Sequence, residues 1–258
     1  MATYFGGSSN DSLTGSTSAD DIYGYSGNDT INAGGGADTI YGGDGADSIN
    51  PGAGDDIVYA EGGYDTVLAS TGFDTVYGGD GNDSLIGGSD AYDDLYGGAG
   101  DDTVTGGILD ADWVFGGSGN DLVSAGDGSN ELAFGGAGRD TVYGGNGNEL
   151  SAGGSGDDSV FGDAGNDTVH GDDGRISVYG GTGNDIVSGG GGLRHAGRRR
   201  QQRQPARGCR QRYDLRGRRQ RHDKLGSRQR QRACRHRGRR CHCLGRPRYR
   251  HDRRRHRQ

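Results

Sequence analysis

An acidic residue recurs every nine positions along most of this 258-residue chain. The series runs without a break from Asp11 to Asp83 and continues, with occasional one-residue insertions, to Asp185. Two residues after most of these acids stands an aliphatic side chain, such as Val76 or Val142, and a glycine-rich run precedes each acid. A period of this length predicts a solenoid, in which each unit buries its apolar face by stacking on its neighbours.

Each unit divides into six residues of turn and three of strand. Because side chains alternate along a strand, the aliphatic residue points inward and its neighbours point outward. Glycine suits the turn, where the backbone adopts positive φ or approaches another chain segment closely. Two units, or 18 residues, then complete one coil. We therefore expect an all-β fold, a parallel β-roll (β-solenoid) of about twenty units, with two sheets facing each other across a thin aliphatic layer.

The unit resembles the hemolysin-type calcium-binding repeat of RTX proteins, GGxGxDxUx with U a large aliphatic residue. Gly78–Asp83 and Gly116–Asp121 keep the turn pattern in full, and related units extend from Gly6 to Ser188. The resemblance implies Ca²⁺ as the cofactor, bound by aspartate carboxylates and backbone carbonyls of two adjacent turns. It also implies a bacterial protein that a type I secretion apparatus exports unfolded, and that folds outside the cell.

The composition agrees with a role for metal ions in folding. Hydrophobic residues make up only 29% of the chain, which is typical of disordered proteins. All but three of the 36 acidic residues precede Gly192, where Arg139 and Arg175 are the only arginines and no lysine occurs. Such a segment repels itself when it becomes compact. A hard divalent cation binds carboxylates and turn carbonyls, so we expect disorder without calcium and folding with it.

Turns two units apart fall on the same side of the roll, and an ion between two turns needs both of them intact. On one side five consecutive turns keep the full pattern, which implies four sites between them. The resemblance assigns the metal-binding role to their aspartates and glycines: Asp83, Asp102, Asp121, Asp140 and Asp158, with Gly78, Gly81, Gly97, Gly100, Gly116, Gly119, Gly135, Gly138, Gly153 and Gly156. Four further candidate ligands are Asp29, Asp47, Asp167 and Asp185.

Other turns depart from the pattern. Gly87–Asp93, Gly106–Asp112 and Ala125–Glu131 each carry an extra residue, lie on one side and are expected to share a bulge. Ile176 replaces the acid of its turn and should remove that ligand. Three early turns lack part of the glycine pattern, so their occupancy stays open: Gly15–Asp20, Ala60–Asp65 and Ala69–Asp74. An isolated Gly/Asp turn is more simply a solvated turn, but solvation does not require the fixed phase seen here.

An aromatic residue follows the aliphatic one in many units. We expect these rings to point outward and to stack along one sheet before changing to the other: Tyr23, Tyr41, Tyr59, Tyr77, Tyr96, Phe115 and Phe134, then Tyr143, Phe161 and Tyr179. Cross-strand packing that shields a thin sheet is the favoured interpretation. The alternative is a strip that binds a carbohydrate or protein partner.

Residues 193–258 form a basic tail that contains all four cysteines. Its arginines keep the nine-residue phase: Arg194, Arg203, Arg212, Arg221, Arg230, Arg239, Arg248 and Arg257. Because Gln-Arg pairs can be recoded as Asn-Asp by a one-base shift, we interpret the tail as out-of-frame repeat from near Leu193, which the nucleotide sequence would decide. We expect it to be disordered, with incidental affinity for polyanions and no specific nucleic-acid target. The spacing around Cys241 and Cys243 fits no standard zinc site.

These observations divide the chain into a lead at 1–5, a calcium-binding roll at 6–192 and the tail at 193–258. No HExxH or GxSxG motif is present, and five residues before Gly6 leave no room for a catalytic domain, so we expect no enzyme. The start lacks a Sec-type signal peptide, and no run is long enough to span a membrane. The preferred function is a calcium-dependent structural module of a secreted protein. The alternatives are a non-catalytic fragment of an RTX enzyme or adhesin, and polyanion binding by the tail.

Overall fold

The computed structural model describes residues 1–89, 92–108 and 111–190, together with the backbone of residues 195–197. Successive strands of the chain alternate between two long parallel sheets. No helix occurs among the described residues, and hence none that could cross a membrane. The predicted all-β roll, with two strands in each coil, is confirmed.

Sheet one contains eleven strands, each hydrogen-bonded to the strand one coil away. In spatial order they are β1 (Thr3–Phe5), β3 (Asp21–Ser26), β5 (Thr39–Asp44), β7 (Ile57–Gly63), β10 (Thr75–Gly81), β12 (Asp94–Ala99), β14 (Trp113–Gly119), β16 (Leu132–Gly138), β19 (Leu150–Gly156), β22 (Thr168–His170) and β24 (Ile186–Ser188).

Sheet two follows the same order on the opposite face of the roll. Its strands are β2 (Ser12–Thr14), β4 (Thr30–Gly35), β6 (Ser48–Ala53), β8 (Thr66–Leu68), β11 (Ser84–Ile86), β13 (Thr103–Thr105), β15 (Leu122–Ser124), β17 (Thr141–Tyr143), β20 (Ser159–Phe161), β23 (Ser177–Tyr179) and β25 (His195–Gly197). Short β9 (Ser70–Thr71) pairs with β6, and β18 (Asn146–Gly147) pairs with β21 (Ala164–Gly165).

The register of the sheets repeats the period of the sequence. Thr3 lies opposite Asp21, which is the expected 18-residue coil. Where a turn contains an inserted residue the offset becomes 19, as between Thr75 and Asp94. The insertion is therefore absorbed within the turn, and the strands on either side of it stay in register.

The core is one aliphatic residue deep on each sheet. Ile22, Val58, Leu95 and Val114 are fully buried, and each is the predicted inward residue of its strand. The residues on either side of them in each strand are more exposed, as alternation requires. Since each strand contributes so little apolar surface, the interactions at the turns carry much of the cohesion between coils.

The strands of sheet one from β3 to β19 are longer than the predicted triplets, with six or seven residues each. Strand β10 continues through Gly81, and its glycine segment pairs with that of β12, for example Gly79 with Gly98. In sheet two the strands from β11 onward have three residues. The difference follows from the turns, because turns of equal length stack in register and pair as a sheet, whereas turns with insertions do not.

The aromatic rings form the predicted ladder on the outer faces. On sheet one the centroids of Tyr23 and Tyr41 are 4.9 Å apart with ring planes 3° from parallel, and stacking continues to Phe134. The ladder ends where Phe134 meets Ala152, and a second one runs from Tyr143 to Tyr179 on sheet two. Inner members turn their faces to one another, so few ring faces are left for a sugar to stack on. The geometry therefore favours packing as the role of the ladder.

Strand β25 lies within the predicted tail. His195 pairs with Ser177 at the same 18-residue offset as the coils before it, in agreement with the retained phase of the tail. Residues 198–258 lie outside the described residues, and so do the predictions made for them. The domain boundaries stay a prediction.

Replacing Gly119 with alanine should destabilise the calcium-loaded roll. Gly119 has φ of 140°, and an added Cβ would collide with the carbonyl oxygen of Gly100 in the preceding coil. A left-handed conformation alone costs an L-residue about 1–2 kcal/mol. Guanidinium unfolding in saturating calcium measures the loss. Gly62→Ala is the matched control, because a Cβ there meets nothing closer than 3.8 Å, and equal losses in the two variants would contradict the explanation.

Replacing Tyr96 with alanine should also destabilise the folded roll. Its ring stacks on Tyr77 and on Phe115 at 5.0 Å. Aromatic pairs contribute about 0.5–1.5 kcal/mol beyond the area that they bury. Thermal unfolding at saturating calcium measures the effect, with Tyr64→Ala as the control, since Tyr64 is 68% exposed. An unchanged melting temperature in Tyr96→Ala would show that the ladder does not hold the coils together.

Candidate metal centre

In most turns the acidic residue connects neighbouring coils through its backbone and its side chain. The backbone N–H of Asp83 donates to Oδ1 of Asp102 at 2.8 Å, and Asp102 donates in the same way to Asp121 at 2.9 Å. The pattern repeats on both sides of the roll, for example from Asp38 to Asp56. One oxygen of each such carboxylate is therefore used to connect coils.

We name the two sides by their turns. The regular side contains the turns that follow sheet one, and its acids are Asp11, Asp29, Asp47, Asp65, Asp83, Asp102, Asp121, Asp140 and Asp158. The bulged side contains the turns that follow sheet two, and its acids are Asp20, Asp38, Asp56, Asp74, Asp93, Asp112, Glu131, Glu149, Asp167 and Asp185.

The second carboxylate oxygen is buried without a hydrogen-bond partner in most of these residues. The aspartates whose Oδ2 is in this state are Asp29, Asp38, Asp47, Asp56, Asp65, Asp74, Asp83, Asp102, Asp121, Asp140, Asp158 and Asp167. An unpartnered buried carboxylate oxygen is costly unless a cation or a proton neutralises it. A column of such atoms is an arrangement that bound cations would fit.

Small cradles lie beside these oxygens. A Cβ added to Gly116 would lie 2.5 Å from Oδ2 of Asp121 and 2.6 Å from the carbonyl oxygen of Gly135 in the next coil. At Gly135 the corresponding distances to Asp140 Oδ2 and Gly153 O are both 2.6 Å. A side chain at the first glycine of the turn would therefore collide with these atoms, and glycine there lets a carboxylate oxygen and a carbonyl oxygen of the next coil approach each other.

The fourth glycine of the turn has a different role. Gly81, Gly100 and Gly138 have φ of 135°, 138° and 145°. A Cβ at Gly100 would collide with the carbonyl oxygen of Gly81 one coil earlier. Glycine at this position lets successive turns stack closely enough for both to contribute oxygens to one cradle.

The carboxylates of these turns are poor acids in the ion-free protein. Burial raises the pKa of Asp102 and Asp121 to about 6, against hydrogen bonds from the backbone that lower it, and the neighbouring carboxylates raise it further. Burial also raises the pKa of Asp83, Asp140 and Asp158. The site therefore disfavours negative charge until a cation compensates it.

The donor set suits a hard cation. Carboxylate and carbonyl oxygens are the ligands that Ca²⁺ prefers, and Ca²⁺ accepts them in flexible geometry. Within the described part of the chain no three His, Cys, Asp or Glu side chains cluster closely enough to hold a metal ion. Backbone carbonyls of the turns would therefore have to supply much of the coordination, which is the ligand type implied by the sequence.

The four predicted ligands outside the five intact turns also lie beside the first glycine of their own turn. An added Cβ at Gly24 would lie 2.5 Å from Asp29 Oδ2, and one at Gly42 would lie 2.7 Å from Asp47 Oδ2. Gly162 and Gly180 are placed in the same way beside Asp167 and Asp185, at 2.8 and 2.6 Å.

In each turn with an inserted residue, a backbone N–H of the turn donates to the acid of the same turn. The N–H of Gly88 donates to Oδ2 of Asp93 at 2.7 Å, and the N–H of Gly107 donates to Oδ2 of Asp112. In the third such turn, Gly128 donates to Oε1 of Glu131 at 2.7 Å. This oxygen therefore already has a donor, unlike Oδ2 of the five intact turns, although Oε2 of Glu131 is still without a partner.

The early turns divide into two kinds. Asp20 accepts hydrogen bonds from the N–H and the hydroxyl of Ser16, both at 2.8 Å, so its Oδ2 has donors within its own turn. Asp65 and Asp74 keep an unpartnered oxygen, although Ala60 and Ala69 occupy the position of the first glycine. At Ile176 a hydrocarbon side chain fills the cradle, because a Cβ on Gly171 would meet its Cγ2 at 2.6 Å.

One group of buried oxygens was missed from the sequence. Both carboxylate oxygens of Glu149 and the hydroxyl of Ser151 are buried without a hydrogen-bond partner. The available signal was Ser151 itself, a polar residue in the position where the repeat places an aliphatic one.

Comparison with known proteins gives a result that agrees with this geometry. The family model for the RTX calcium-binding nonapeptide repeat (four copies) matches at residues 5–40, 23–58, 33–67, 59–92, 88–108, 109–132, 126–150, 143–175 and 177–192. A search of curated proteins finds no match. The matched residues cover most of the chain and, except for residue 176, all of the predicted roll. The chain belongs to the family of proteins with RTX calcium-binding nonapeptide repeats.

Proposed function

We propose that this chain is a calcium-dependent structural module of a secreted protein, in which Ca²⁺ between stacked turns completes the fold. The observation that carries the proposal is the column of buried Oδ2 atoms without partners along the regular side. A backbone carbonyl oxygen of the next coil lies near such an atom in the intact turns, as Gly135 O does near Asp121 Oδ2. Calcium would supply the positive charge that these carboxylates lack.

The residues proposed to hold the ions are the acids of the five intact turns, Asp83, Asp102, Asp121, Asp140 and Asp158. Asp29 and Asp47 on the same side, and Asp167 and Asp185 on the other, are proposed on the same grounds, because a glycine cradle lies beside each. Glycine at the first position of each intact turn avoids a collision with the aspartate Oδ2, and glycine at the fourth position permits the close stacking of the turns.

A structural role fits the absence of catalytic motifs from the sequence. Acidic residues that would suggest general acid–base chemistry elsewhere are members of the repeat here. We propose export through a type I apparatus at low cytosolic calcium and folding outside the cell, on the basis of family membership. A fragment of a larger RTX enzyme or adhesin is the alternative, and it would use the roll in the same way.

Calcium should convert the full chain from a disordered to a sheet-rich state. Metal binding is coupled to folding when the ligands are brought together only in the folded protein. Circular dichroism during a calcium titration, followed by chelation, measures the change and its reversal. A spectrum that is already sheet-rich after complete removal of divalent ions would contradict the proposal.

Replacing Asp121 with asparagine should weaken calcium-induced folding. The amide oxygen can still accept the hydrogen bond from Asp102, whereas the charged Oδ2 is lost. We expect the calcium midpoint to rise by roughly tenfold, which is about 1.4 kcal/mol. Asp80→Asn removes an equal charge from an exposed position of an intact turn two coils away and is the matched control. A similar shift in both variants would indicate general electrostatics in place of ligation.

Low pH should partly replace calcium in stabilising the folded roll. The folded-state pKa values of Asp102 and Asp121, about 6, and of Asp65, about 7, lie above their unfolded values. Protonation therefore stabilises the ion-free roll at low pH, and that stability is lost as the pH rises through about 6 to 7. Sheet content in calcium-depleted buffer should increase from pH 8 to pH 5, while the calcium midpoint rises. An increase in sheet content with increasing pH in calcium-depleted buffer would contradict the prediction.

A further inference from the structure

Two residues of sheet one stand where the coils next to them have glycine. Tyr25 pairs with Gly43, which pairs with Glu61 in the following coil. Tyr25 and Glu61 have φ of 74° and 75°, in the left-handed region that glycine adopts without steric cost. The remaining non-glycine residues with positive φ in the described part of the chain are serine, asparagine and aspartate. Asparagine and aspartate enter this region readily, whereas tyrosine and glutamate do not.

The stacking of the coils does not require a side chain at this position. Gly43 and Gly79, the neighbours of Glu61, both have φ of 109°. A Cβ at Gly43 would collide with the carbonyl oxygen of Tyr25, and a Cβ at Gly79 with that of Glu61. Residues held in an unfavourable backbone conformation occur preferentially at binding sites. Tyr25 and Glu61 therefore indicate a role for their side chains outside the fold itself.

Tyr25, Gly43 and Glu61 form a notch in the outer face of sheet one. The ring of Tyr25 is 52% exposed and lies beside that of Tyr23, with centroids 6.2 Å and planes 23° apart. Phe5 of the preceding coil lies on one side of the Tyr25 ring, at 6.4 Å. On the other side the next coil has Gly43, so the matching position carries no side chain until Glu61, which is exposed. One face of the Tyr25 ring is thus directed across a gap toward Glu61.

The thickness of the notch follows from the spacing of the strands. Neighbouring strands lie about 4.8 Å apart, so the backbones of Tyr25 and Glu61 are separated by about 9–10 Å. A planar group packs on an aromatic ring at about 3.5–4 Å. The ladder ring of Tyr41, stacked on that of Tyr23, lies beside the gap in the same strand as Gly43. The notch therefore has space for one planar group between the ring and the glutamate.

The surroundings of the notch are negatively charged. Glu61 and Asp44 are exposed acids on adjacent strands. Burial raises the pKa of the Tyr41 hydroxyl, and the neighbouring tyrosines and the carboxylates of Asp21 and Glu61 raise it further. The two arginines of the roll lie in turns several coils further along the chain, and no lysine precedes residue 193. A cation that fills the notch must therefore come from outside the roll.

A guanidinium group fits the notch better than other cations do. It is planar, stacks on aromatic faces and donates two parallel hydrogen bonds to one carboxylate. The ammonium group of lysine is compact and strongly hydrated, and it has no flat face to stack. Ca²⁺ takes about six to eight oxygen ligands, whereas the notch offers one aromatic ring and one carboxylate.

We propose that the notch binds an arginine side chain of a partner polypeptide, with the guanidinium group stacked on the Tyr25 ring and paired with the Glu61 carboxylate. The inference goes beyond the proposed function, because the notch itself holds no calcium. Calcium matters to it only by folding the roll, which brings three separate coils together at this surface.

An NMR chemical-shift titration of the isotope-labelled full-length protein, in saturating calcium, tests the proposal. The probe is the peptide N-acetyl-Gly-Arg-Gly-amide. We expect saturable shifts centred on the backbone amides of Tyr25, Gly43 and Glu61. The peptide N-acetyl-Gly-Lys-Gly-amide carries the same charge and should bind more weakly, because its ammonium group can neither stack nor form a bidentate pair.

Tyr25→Gly and Glu61→Gln should each weaken binding of the arginine peptide by roughly two- to fivefold, the effect of losing an exposed cation–π contact or ion pair. Both variants should fold, because glycine is the residue of the next coil and glutamine keeps the shape of glutamate. Tyr25→Phe keeps the ring and should keep the affinity. The matched controls are Tyr92→Gly, at a ring that is 55% exposed and stacked on Phe73, and Asp173→Asn, at an exposed acid.

Circular dichroism in the same buffer verifies that each variant is folded. The proposal is overturned if the parent protein shows no saturable shifts, if the shifts spread evenly over the acidic turns, or if both peptides bind equally well. Equal weakening in the variants and in the two controls would assign the binding to general electrostatics and would also overturn it. None of these results bears on the proposed function, which a full chain that stays disordered in calcium would refute.

Discussion

Each coil of the roll is connected to the next by a backbone N–H that donates to a buried carboxylate. The contact fixes the register of the stack, because the amide of Asp102 can meet Asp121 only if every residue between them completes one coil. It also places like charges one above another inside the protein. The same feature that gives the roll its regularity therefore creates an electrostatic deficit, which a bound cation would offset.

The periodicity of the sequence was sufficient to predict the architecture. The inward position of Val58 or Val114, the offset of one coil and the change of the aromatic ladder at Tyr143 all follow from counting residues in steps of nine. Such features depend only on the alternation of strands and the length of a unit. The extension of β10 through Gly81 was not predicted, because it depends on whether neighbouring turns have equal lengths and can pair with each other.

The chemical state of each turn could be predicted only in part. Sequence identified the glycines beside Asp121 and Asp140, since close approach and positive φ are recognisable requirements. It could not show that Gly88 donates to Asp93, because that bond depends on how an inserted residue folds back. Whether a carboxylate oxygen is free depends on the position of a single backbone amide, and no periodic pattern encodes that.

The two sides of the roll differ for a physical reason that the inserted residues explain. From Gly87 to Glu131 the turns of the bulged side supply their own N–H donors to the carboxylate, so part of the charge is compensated by the chain itself. Facing them across the core, the turns that end in Asp102 and Asp121 have no such donor and leave the same oxygen bare. The strands between the two rows are shared, so the stability of the whole segment is limited by the side that lacks donors. Within this segment we therefore expect calcium to matter most for the regular side, although elsewhere on the bulged side Asp38, Asp56, Asp74 and Asp167 also leave an oxygen without a partner.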